Sequence, residues 1–168
     1  GAVLIFTGLG LKMALVPLHL WLPDAYTHAP SSVNTLIAPI MTKVGAYAML
    51  RMFLSVFPHG YLRDVVPIAD ALLVLGLAGI VFGSVAAMAQ TDLRRMLAYS
   101  SIANVAMIAV GLGIGTPLAL VAALLHVMNH AVMKAALFSS AASVRLATGS
   151  SSVRDLAGDI DRTREGEP

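Results

Sequence analysis

The sequence predicts an all-α fold, a polytopic transmembrane bundle of about five membrane-spanning helices, on three observations. Of its 168 residues 58% are hydrophobic and only 12% are charged, where a soluble domain usually carries about a quarter; the mean hydropathy is +0.82. The charges are segregated as well. Seven of the eleven Lys and Arg residues lie within 61–95 or 145–168, and 1–11 and 96–125 contain no charged residue. Finally, the apolar residues form five runs, each near or above the ~20 residues a helix needs to cross ~30 Å of hydrocarbon.

The first run, 1–26, contains Lys12, Pro17 and Pro23. Proline lacks a backbone donor and clashes with the carbonyl four residues earlier, so Pro17 breaks this helix close to Lys12. Backbone groups freed at membrane depth are tolerated only against protein or water, as in the broken helices of transporters. The second run, 33–57, holds Pro39 and Lys43. The third, 67–89, has one early charge, Asp70, and no strand alternation; Gly76, Gly79 and Gly83 form a small-residue face that admits a close helix neighbour. The fourth and fifth runs are 96–114 and 117–144. Residues 1–148 thus read as transmembrane helices and 149–168 as a polar interhelix loop. A chain that starts with Gly inside an apolar run and stops in a charged loop reads as the middle of a longer protein.

The connections alternate sides. Those near 27–32, 90–95 and 145–168 share one side, which gathers Arg94, Arg95, Arg145, Arg154, Arg162 and Arg164. The positive-inside rule places this side, with the C-terminal tail, in the cytoplasm of a multi-pass protein of the inner (plasma) membrane. Cysteine is absent, which excludes disulfides and thiolate metal centres. No Gly-rich nucleotide loop or haem attachment motif occurs. The chain is expected to carry no cofactor, to bind no nucleic acid and to perform no redox chemistry itself.

The informative residues are those that apolar helices ought to exclude. A lysine at the bilayer centre costs roughly 2.5–3.5 kcal/mol, so Lys12, Lys43 and Lys134 together would cost about 8–10 kcal/mol facing lipid. They are expected to face water, a partner or one another. Snorkelling to the headgroups suits Arg51, near a helix end, better than Lys134. In the run His126-Val127-Met128-Asn129-His130-Ala131-Val132-Met133-Lys134 the ionisable residues fall at i, i+4 and i+8, which stacks them on one face at about 6 Å per step. Imidazole titrates near neutrality, so two imidazoles and an amine in a row suit a proton relay, with Asn129 able to hold a water. The same spacing fits metal ligation, but the helix supplies no third ligand and places a cation beside Lys134. Core histidines bonded to backbone carbonyls are the remaining reading.

Four motifs in series resemble the antiporter-like proton-translocating subunits of respiratory complex I (NADH:quinone oxidoreductase), Mrp-type Na⁺/H⁺ antiporters and membrane-bound hydrogenases. They are Lys12-Met13-Ala14-Leu15-Val16-Pro17-Leu18-His19-Leu20-Trp21-Leu22-Pro23-Asp24-Ala25, then Thr42-Lys43-Val44-Gly45-Ala46-Tyr47, then Asp92 through Ser101, and the helix from His126 to Phe138. The resemblance implies a line of proton-translocating residues: Lys12 before the broken-helix proline Pro17, then Lys43, Arg94, and the relay His126, His130 and Lys134. It also implies an upstream glutamate partner for Lys12 and a downstream second broken helix. The expected partners are other membrane subunits of a multi-subunit complex, the lipid bilayer and protons, with Na⁺ as the alternative coupling ion. Proton translocation within an NADH:quinone oxidoreductase or related translocase is the function this implies. An Mrp-type antiporter subunit, a non-conducting structural subunit and a free-standing transporter with a site at the Pro17 break are the alternatives.

Overall fold

A computed structural model describes residues 1–57 and 61–155. Among these residues there is no strand, and the helices run in the order α1 (Ala2–Met13), α2 (Trp21–His28), α3 (Ser31–Arg51), α4 (Ile68–Met88), α5 (Leu93–Ile114) and α6 (Pro117–Thr148). Two π-helical turns, Met52–Val56 and Tyr61–Val65, lie between α3 and α4. Four helical stretches are long and apolar enough to cross a membrane: Ser31–Val56, Ile68–Met88, Leu93–Ile114 and Pro117–Thr148.

The first predicted run is two helices, as Pro17 requires. α1 stops four residues before it, at Met13, where Ala14 takes a left-handed conformation with φ 60° and ψ 44°. The Val16–Pro17 peptide is cis. The freed carbonyls find local donors: Leu15 N–H donates to Gly10 O at 2.9 Å, and Trp21 Nε1 donates to Leu11 O at 3.0 Å. By contrast Pro39 sits inside a continuous α3, as a proline in a membrane helix is able to do.

Lipid tails are as apolar as leucine, so close packing rather than hydrophobic expulsion must hold such helices together. The tightest seam joins α4 to α5. A Cβ added at Gly83 would lie 2.7 Å from Ala103 N, and one at Gly76 would lie 2.9 Å from Ala106 O. A second close approach uses Gly45 on α3, whose missing side chain leaves room for Met13 and the stem of Lys12. The interior is filled by Met13, Met49, Ile102, Val105, Ile108 and Leu112, all nearly inaccessible.

The helix ends are capped by residues their sequences supply. Asp92 accepts a hydrogen bond from Arg95 N–H at 3.0 Å to open α5, and Thr116 with Pro117 opens α6. Both helices end on a left-handed glycine, Gly115 (φ 69°) and Gly149 (φ 74°), the conformation that turns the last carbonyls toward local donors.

The connections gather at two ends. At one, Arg94 donates to Ala29 O, Arg95 approaches Asp24 at 3.8 Å, and Leu93 N–H and Val153 N–H bond Ser151 O and Thr91 O, each at 2.9 Å. The described part of the 149–168 segment is therefore pinned to the start of α5. At the other end, Arg63 donates to Gly113 O at 2.7 Å and Ile114 O at 3.0 Å, placing a cation on the negative end of the α5 dipole. Arg162 and Arg164, and the rest of the 149–168 segment beyond Asp155, lie outside the described residues.

Candidate functional site

Helices α3, α5 and α6 enclose a cluster of basic and hydroxyl side chains. α6 supplies His126, His130 and Lys134 from one face, as the four-residue spacing requires. His130 and Lys134 have no accessible surface. The His126 and His130 rings are nearly parallel, at 11°, with centroids 5.9 Å apart. Lys43, only 5% exposed, comes from α3, about 18 Å from Ser31 at the helical rise, and α3 packs against α6.

The partners of these groups are neutral. Lys134 Nζ donates to Leu97 O at 2.9 Å and to the Ser100 hydroxyl. Lys43 Nζ donates to Ala38 O, also at 2.9 Å. His126 Nε2 donates to Asn104 O at 3.2 Å, so this ring carries its proton on Nε2. The single ion pair among the described residues is Arg95 with Asp24, far out at a helix end. Both ring nitrogens of His130 and the Thr42 hydroxyl are buried without a protein partner. Buried polar groups are normally hydrogen-bonded, which sets these atoms apart from the rest of the interior.

The remaining predicted residues are placed differently. Arg94 is buried at 4%, but its guanidinium holds Ala29 O in the turn between α2 and α3 and takes no part in the histidine row. Lys12 is exposed on the described chain, with its stem against Gly45. Pro17 lies in the break, as its chemistry dictates. Asn129 is exposed on the described chain; on α5 it is the backbone carbonyl of Asn104 that His126 meets.

Sequence reasoning passed over four polar residues that the fold brings into play. Ser100, Ser101 and Asn104 lie within little more than one turn of α5, and Ser101 donates to Leu97 O at 3.0 Å. Their signal was the Ser-Ser pair and Asn inside an apolar run, which alone does not say which helix they face. The fourth is His19, 6% exposed in the α1–α2 break, edge-on to Phe82 at 4.6 Å and without a partner at either ring nitrogen.

Among the described residues no group of three or more His, Cys, Asp or Glu side chains is arranged to hold a metal ion.

Residues 1–159 match the protein family described as NADH:quinone oxidoreductase/Mrp antiporter, TM. Over 159 residues, 93% of the chain, the sequence is 50% identical to NADH-quinone oxidoreductase subunit N of Desulforudis audaxviator, covering 31% of that protein. It is 41% identical over 143 residues to F(420)H(2) dehydrogenase subunit N of Methanosarcina mazei, covering 84% of the chain and 28% of the relative. The chain therefore spans about a third or less of the length of these relatives. Its fold matches a chain of the membrane-bound sulfane sulfur reductase, an archaeal respiratory membrane complex, with a TM-score of 0.80 at 32% identity, covering 90% of this chain and 30% of that one. It also matches a chain of the Mrp complex from Dietzia sp. DQ12-45-1b, with a TM-score of 0.75 at 28% identity, covering 81% and 24%.

Proposed function

We propose, because the chain belongs to the NADH:quinone oxidoreductase/Mrp antiporter family of membrane proteins, that its parent protein moves protons across the membrane through the buried basic row of α6. One observation carries the proposal. Lys134 has no accessible surface, sits in line with His130 and His126, and is held only by neutral acceptors. A permanently charged lysine there would be costly. A lysine that alternates between ammonium and amine has a use for such a site.

The row supports stepwise transfer. Lys134 passes its proton toward His130, and His130 toward His126; ring centroids 5.9 Å apart are too far for a direct hydrogen bond and suit one bridging water. Lys43 stands beside the row as a second cation. Like charges repel more strongly the lower the effective dielectric between them, so protonating Lys43 favours loss of a proton from its neighbour. Lys12, presented outward just before the Pro17 break, continues the line toward a carboxylate on another helix. Arg94 belongs to the line as the fixed cation that braces its end against the α2–α3 turn.

The relatives support a wider reading. The parent is a multi-pass subunit of a respiratory complex in the plasma membrane, bound to other membrane subunits, with the Arg94, Arg95 and Arg154 end facing the cytoplasm by the positive-inside rule. Redox chemistry belongs to its partner subunits. Residues 1–148 form its conducting core and 149–168 an interhelix loop. The Mrp likeness keeps Na⁺/H⁺ exchange as a second reading, distinguished by whether flux depends on Na⁺.

The test replaces Lys134 with Ala in the full-length protein within its native complex, reconstituted into vesicles. Proton flux falls to background while the complex still assembles. Unchanged flux would overturn the proposal.

A further inference from the structure

The acceptors of Lys134 differ in what they can do. The Leu97 carbonyl is fixed in the helix and already receives the Ser101 hydroxyl at 3.0 Å. Ser100 is free to respond. A serine in a membrane helix usually donates back to the carbonyl four residues earlier, as Ser101 does. Ser100 instead has only a long contact of 3.4 Å to Leu97 O, and its oxygen lies in hydrogen-bonding range of Lys134 Nζ.

A hydroxyl has one donor and two acceptor lone pairs, and its proton rotates to suit its neighbour. Toward an ammonium it accepts, with its own proton turned to Leu97 O. Toward a neutral amine it turns that proton onto the nitrogen lone pair. A carbonyl manages only the first of these. The same stretch of α5 also reaches the other end of the row: Asn104 Nδ2 donates to Ser100 O at 2.8 Å, and Asn104 O accepts from His126.

We infer that Ser100 is a positioning residue for Lys134, whose hydroxyl reverses between acceptor and donor and so holds Nζ at the head of the His130–His126 row in both protonation states. The serine loses no proton, since only its O–H turns. This rests on the proton line proposed above, and it assigns the α5 side of that line.

The experiment follows proton flux over a pH series in vesicles holding the full-length subunit in its native complex, with assembly measured alongside. Ser100→Ala removes one partly buried atom from a helix face and leaves assembly at the wild-type level. Flux at neutral pH falls about tenfold, and the pH of half-maximal flux moves down by about one unit, the worth of one hydrogen bond to a charged group. Ser100→Thr, which keeps the hydroxyl, restores both. A Ser100→Ala profile superimposable on wild type, a profile Thr fails to restore, or loss of assembly overturns the role of Ser100. Lys134→Ala run in parallel separates the two ideas: abolished flux there leaves the line standing whatever Ser100 does, and retained flux removes the line itself.

Discussion

Lys134 and Lys12 are the same residue placed at similar depth in apolar sequence, yet the fold treats them in opposite ways. Lys134 sits in an unbroken helix of 32 residues, has no accessible surface, and finds both its partners on α5. Lys12 is the penultimate residue of a helix that stops at a break, and its side chain is exposed on the described chain. The bundle of α3, α5 and α6 therefore completes one basic site from its own residues, whereas the broken region offers its lysine outward. Burial alone does not mark the working residues in such a protein. The outward lysine is costly in lipid and has to be met by something beyond α1.

The largest expected effect tests that contrast directly. Replacing Lys134 by Met lowers proton flux at least 100-fold in the assembled protein, while thermal stability holds or rises, because an apolar isostere removes a buried cation. Lys12→Met also lowers flux, but leaves the packing around α3, α5 and α6 untouched. Flux and thermal melting of the two variants side by side decide this; wild-type flux in Lys12→Met would cut the broken region out of the line.

Packing should separate the two regions as sharply. Gly83→Val drives a side chain into the α5 backbone near Ala103 N and Cα, at a cost of about 1–3 kcal/mol. The same change at Gly8 on α1, where nothing lies within 4 Å, leaves the melting temperature in detergent within a degree or two of wild type. A comparable loss at both sites would mean that α1 packs as closely as α4.

At the break the vulnerability is conformational. Ala14→Ile puts a β-branched residue at φ 60°, a backbone region that such side chains avoid, and destabilises by about 1–2 kcal/mol; thermal melting reports it. The smallest effect is at the periphery. Asp24→Asn removes an exposed 3.8 Å contact with Arg95, and changes stability by less than about 1 kcal/mol, vanishing at high salt.

The helices, the break and the ladder on α6 were legible in the amino-acid sequence. Apolar run length fixes membrane-spanning helices, since only they and closed barrels satisfy the backbone in lipid. Proline chemistry fixes the end of α1, and a period of 3.6 residues fixes His126, His130 and Lys134 on one face. The Gly76, Gly79 and Gly83 spacing foretold a close seam and left its partner open. These features depend on neighbours along the chain. What faces the ladder depends on neighbours in space. That Ser100 and Leu97 receive Lys134, and that the Asn104 backbone carbonyl receives His126, were decided by how α5 is rotated against α6, and that Arg94 braces the α2–α3 turn by how α5 meets that turn. An apolar helix with polar residues on several sides has no pattern that states its own rotation, and only the packed tertiary structure supplies it.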